Sequence, residues 1–79
     1  MMRIKAQKVR DGLHPSEVVV SVATVDGVEK LVVHNGAFNN DSLDIGYPIE
    51  DAGDKYLVEL PHETESGSWR VWVPQHELR

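Results

Sequence analysis

The chain has no cysteine. Disulfides, thiolate zinc centres and thiol nucleophiles are therefore excluded. Aromatic residues are scarce, with one Phe, two Tyr and two Trp in 79 positions. Each of them is a candidate anchor of a core or a contact. No apolar run approaches the ~20 residues that a membrane-spanning helix needs. The start, Met1-Met2-Arg3-Ile4-Lys5, lacks the apolar stretch of a secretory signal. A cytoplasmic location and no membrane partner are expected. Helical periodicity is missing too. So are the glycine motifs that bind phosphate or dinucleotide or that carry a serine nucleophile. Ser66 and Ser68 flank Gly67, but this segment reads as a hairpin turn. The expectation is a protein that is not an enzyme and carries no cofactor.

Metal chemistry has little to work with. His14, His34, His62 and His76 form no local pair of ligand spacing. His62 and Glu63 are adjacent, so in an extended segment they face opposite ways. Asp51-Ala52-Gly53-Asp54 lacks the spacing of a calcium loop. These acids and histidines are expected on loops and strand ends, solvated, with no metal.

Val, Ile, Leu and Phe together make up 22 of 79 residues, enough for a folded chain and one core. A single small domain over residues 1–79 is expected. Net charge is −5 and unevenly placed. Arg3, Lys5, Lys8 and Arg10 are half of the basic residues, and all thirteen acids follow them. The first ten residues read as an edge strand protected by charge. The sharper reading is a basic strip that docks an acidic partner.

The rest reads as strand after strand. Arg3 to Arg10 is a first strand, with Ile4 and Ala6 on one face and a break of alternation at Val9 that suggests a bulge or the strand end. Glu17 to Val25 and Val28 to His34 are β-branched runs joined by Asp26-Gly27, which suggests a type I′ hairpin. That register sets Val25 opposite Val28, Val22 opposite Leu31 and Val20 opposite Val33. Val18, Val20, Val22, Leu31 and Val33 then form the core face. Asn35 to Ser42 is turn chemistry anchored by Phe38. Leu43 to Ile49 is a short strand that Pro48 marks as an edge. Lys55 to Pro61 and Ser68 to Pro74 form the last hairpin, and Gln75 to Leu78 one 3₁₀ or irregular turn. The fold class expected is all-β, a small barrel or roll of five to six short antiparallel strands in two meanders, with no substantial helix.

The ending Trp69-Arg70-Val71-Trp72-Val73-Pro74-Gln75-His76-Glu77-Leu78 resembles the closing strand, 3₁₀ turn and stub of SH3-like small barrels. The resemblance spans Lys55 to Leu78, in strand order and apolar spacing. It implies a barrel or roll and no ligand, because the aromatic segment of peptide-binding SH3 domains has no counterpart here.

The last strand carries a Trp on each face. Trp69, Val71 and Val73 are expected toward the core, Arg70 and Trp72 away from it. Trp72 is expected under the segment around Phe38 or at a subunit interface. The leading functional expectation is a protein-interaction or self-association module using Arg70, Trp72, Leu57, Phe38 and Tyr47, as a dimer or with another protein. The alternative is a nucleic-acid-binding barrel using Arg3, Lys5, Lys8, Arg10 and Arg70 for phosphate and Trp72 or Tyr47 for base stacking. Net negative charge ranks it second, so no nucleic-acid partner is expected.

Overall fold

Alternating apolar residues and turn-forming Gly, Asn and Asp leave the backbone little choice but short antiparallel strands. The computed structural model describes residues 2–79 and contains nine strands, two 3₁₀ turns and, among the described residues, no α-helix. The strands are β1 (Met2–Lys5), β2 (Gln7–Asp11), β3 (Glu17–Thr24), β4 (Gly27–His34), β5 (Phe38–Asn39), β6 (Ser42–Gly46), β7 (Glu50–Asp51), β8 (Lys55–Glu59) and β9 (Arg70–Pro74). The 3₁₀ turns are Asn35–Ala37 and Gln75–Glu77. The protein is all-β, in three antiparallel sheets of order β1-β6-β5, β2-β3-β4 and β7-β8-β9. None of the sheets closes on itself.

The first expected meander is the second sheet; of the other, only the last hairpin stands, because the strand expected to open it pairs as β6 with β1 and β5 while β7 takes its place beside β8. The strand count of five to six was too low for two physical reasons. The segment from Arg3 to Arg10 divides at buried Ala6, whose N–H donates to the Asp41 carbonyl at 3.0 Å. Before it, β1 pairs with β6; after it, β2 pairs with β3. Strands β5 and β7 are two residues each and too short to show a period. The bulge at Val9 is present, as the β2–β3 register shifts between Lys8 and Arg10.

The long hairpin keeps its faces but not its register. Val20 lies opposite Leu31, Val18 opposite Val33 and Ala23 opposite Val28. This is a slip of two residues from the expected pairing, and an even slip leaves every side chain on its own face. The cause is the turn. Thr24 Oγ1 accepts the Asp26 N–H at 3.1 Å and donates to the Gly27 carbonyl at 2.8 Å. Thr24 therefore pairs with Gly27, and Val25-Asp26 become the turn residues. Only Gly27 takes a positive φ there, +128°. The pair with left-handed backbone, the mark of a type I′ turn, is instead Asn40 (φ 53°) and Asp41 (φ 59°) between β5 and β6.

Strand β6 ends at Gly46, before Pro48, and is the central strand of its sheet, not the expected edge. One connected core lies between the sheets. It takes Ile4 and Ala6 from the N-terminal segment, Val18, Val20, Val22, Leu31 and Val33 from the hairpin, Leu43 and Ile45 from β6, and Val58, Leu60 and Val73 from the last sheet. Single contacts stitch the sheets. Ile4 bridges to Leu78 beyond the last 3₁₀ turn, and Leu31 bridges to Thr64. The Val25 N–H donates to the Trp72 carbonyl at 2.9 Å.

Candidate functional site

Strands β8 and β9 pair Lys55 with Pro74, Leu57 with Trp72 and Glu59 with Arg70. Directly opposed residues share a face. The next residues along, Tyr56, Val58, Val71 and Val73, pack on or in the core. The first set therefore forms the outer face. β7 extends it, with Glu50 opposite Leu57. Leu57 and Trp72 are half-buried yet lie outside the core cluster. The Lys55 ammonium sits 5.0 Å from the centre of the Trp72 ring, within cation–π range. Arg70 Nε donates to Glu59 Oε2 at 3.3 Å. An apolar pair at the centre is thus rimmed by Glu50, Lys55, Glu59 and Arg70, the layout of small docking surfaces.

Of the expected surface residues, Leu57, Arg70 and Trp72 come together here. Tyr47 is 79% exposed and shares a cleft with Ile49 and Glu59 at one end of the face. Phe38 does not join them. It lies in β5 of the first sheet and packs against the core. What covers the Trp72 ring is Lys55 rather than the segment around Phe38. Lys55 and Glu59 were not singled out from the sequence. Their signal was there, since they alternate with Tyr56 and Val58 and so share the side of Leu57.

Trp69 departs from expectation. It is 51% exposed, not core. The residue precedes β9, so strand alternation does not govern its direction, and its ring stacks on His62 with centroids 6.1 Å apart. The turn it closes is organised by buried Thr64, whose Oγ1 accepts the Ser68 N–H at 3.0 Å. Ser66 Oγ donates to Glu29 Oε1 at 2.7 Å.

Three of the four residues of the basic strip make ion pairs within the chain. The Arg3 guanidinium donates to Asp44, to Ser42 Oγ at 2.7 Å and to the carbonyls of Asn39 at 3.1 Å and Ser42 at 3.2 Å. It clamps β1 to the β5–β6 hairpin. Lys8 pairs with Asp11 at 2.7 Å, and Arg10 with Glu65 at 3.4 Å. The Lys8 hydrogen bond, and then its charge, hold the Asp11 carboxyl below its ordinary value. Lys5 is exposed and makes no ion pair among the described residues.

Two of the four histidines contact backbone with their rings. His34 Nδ1 accepts the Gly36 N–H at 3.1 Å. His62 Nδ1 lies 2.8 Å from the Glu63 carbonyl, which can only accept, so that nitrogen carries the proton. Among the described residues, no three of His, Asp and Glu gather as a metal-binding group. An open cleft of about 610 Å³ runs past Lys8, Asp11, Leu13, His14, Glu17 and Phe38. No helix among the described residues is long and apolar enough to cross a membrane. No protein-family model, curated protein or solved structure matches the chain.

Proposed function

We propose that this chain is a non-enzymatic protein-interaction module that docks through the outer face of β7, β8 and β9 and works in the cytoplasm. One observation carries the reading. Leu57 and Trp72 are paired side by side outside the core, on a face whose borders are charged. Trp and Arg are enriched at binding hot spots, and Arg70 stands two positions from Trp72 on the same face. A core with twelve buried members does not need a thirteenth, half-covered Trp on the opposite face. The architecture is read as a small roll of the SH3-like kind. Three sheets share one core, and the chain ends in strand, 3₁₀ turn and a stub that returns to β1.

The nucleic-acid alternative draws no support from the arrangement of Arg3, Lys8 and Arg10, which are spent on acidic partners within the chain. The test of the docking reading is cross-linked capture from the source cells with wild-type and Trp72→Ala baits. Capture that depends on Trp72 is expected. A partner held equally by both baits moves the site elsewhere on the molecule.

A further inference from the structure

The docking face has a property that its residues do not show one at a time: it is complementary to itself. On the outer face of β8 and β9 the rows read Lys55–Pro74, Leu57–Trp72 and Glu59–Arg70. A two-fold axis in the plane of the contact, running between the two strands, lays β8 of one copy over β9 of the other. Leu57 then meets Trp72 of the other copy, and Glu59 meets its Arg70. Because Glu59 and Arg70 are already neighbours at 3.3 Å within each chain, the two copies together build a square of four charges with alternating sign. Every nearest contact in that square is attractive, both along the strands' row and across the interface. Opposite charges juxtaposed this way set register and exclude wrong partners.

We infer that the occupant of this face is a second copy of the chain, docked face to face about that axis. The inference rests on the docking reading above and names its partner. An isologous contact of this kind is the commonest oligomeric solution. Its size sets its strength. Strand spacing of ~4.8 Å and a rise of ~3.3 Å per residue make the three-stranded face roughly 14 by 17 Å. Tyr47 and Ile49 beyond Glu59 enlarge it at one end, and Val25, bonded to the Trp72 carbonyl, enlarges it at the β9 edge. The total remains below the ~800 Å² per partner of a standard stable interface. The pairing is therefore weak and concentration-dependent.

Sedimentation equilibrium between about 10 µM and 1 mM reads affinities in the relevant range. The wild type is expected to move from monomer to dimer across it. Arg70→Glu and Glu59→Arg are each expected to weaken association about ten-fold or more, since each places like charges across the interface twice. An equimolar mixture of the two variants is expected to regain association, because one then carries two acids and the other two bases. The side chains are 59% and 55% exposed, so thermal midpoints near the wild type verify that both variants fold. A wild-type monomer at every concentration overturns the second copy, while the docking reading stands or falls separately on Trp72-dependent capture. A wild-type dimer indifferent to Trp72→Ala overturns the second copy on this face and leaves the docking reading to that capture. A mixture no stronger than the single variants overturns this axis. Weakening by Glu59→Arg but not by Arg70→Glu also overturns it, in favour of an axis across the strands that sets Lys55 on Glu59 of the other copy.

Discussion

Gly27 is the residue on which the long hairpin turns. Its φ of +128° lies where side chains other than hydrogen are strained, although no atom stands within 4 Å of where a Cβ would be. The cost of a side chain there is conformational, not steric. Gly27→Val is expected to lower stability by ~1–3 kcal/mol, read as a shifted urea midpoint with unchanged slope. An unmoved midpoint would mean that the backbone relaxes to another turn. Asp11 offers a second measurement at this scale. Its carboxyl is held below the ordinary value by the Lys8 hydrogen bond and charge. A group depressed in the folded state contributes stability above its unfolded pKa and loses it as pH falls through the folded one. The group is fully exposed, so the effect belongs in a titration curve more than in a melting curve. Carboxyl NMR of Asp11 is expected to titrate at higher pH in Lys8→Met than in the wild type. Coincident curves would dismiss the pair.

Among the elements, β1 depends most on one side chain. Four residues long, it is tied to the β5–β6 hairpin by Arg3, which reaches Asp44, Ser42 and the Asn39 carbonyl at once. A lysine keeps the charge but not the planar fork that serves several acceptors. Arg3→Lys is expected to destabilise by ~1–2 kcal/mol through lost hydrogen bonds, and hydrogen exchange of the Ile4 and Leu43 amides should quicken more than that of Val20. Uniform acceleration would instead place the clamp's effect on the whole fold. This clamp was not legible in the sequence, where Arg3 read as one member of a basic strip. Its partners lie about forty positions away, and no local pattern encodes a contact of that separation. What was legible is what period two dictates: the five inward residues of the long hairpin, the bulge at Val9, the closing 3₁₀ turn, and Leu57, Arg70 and Trp72 on one outer face. Strand alternation fails at Trp69, which precedes β9, and the turn rule fails at the hairpin register, where a threonine hydroxyl outcompeted the Asp-Gly preference.

For the whole molecule, the radius of gyration is 11.6 Å, and a compact chain of this length is expected near 12 Å. Three sheets share one core, and the outer face of the long hairpin is itself partly covered, with Val19 3% exposed there, so what the molecule can bind depends on the charge carried by the faces that remain open. The net charge of −5 opposes a polyanion, and three of the four N-terminal cations already pair with acids of the body. To bind phosphate, Arg3 would abandon a clamp that holds β1, and Lys8 and Arg10 would expose Asp11 and Glu65 to the incoming charge. Sub-micromolar binding to single- or double-stranded nucleic acid is therefore not expected at about 150 mM salt, where screening is substantial. The dependence on salt is the more discriminating measurement. Each neutralised phosphate adds about −0.9 to the slope of log K against log salt on duplex DNA. Residual binding at low salt through Lys5 and one exchanged partner gives a slope of about −1 to −2. A slope near −4 would require all four cations to be free, and would return the basic strip to the head of the functional reading.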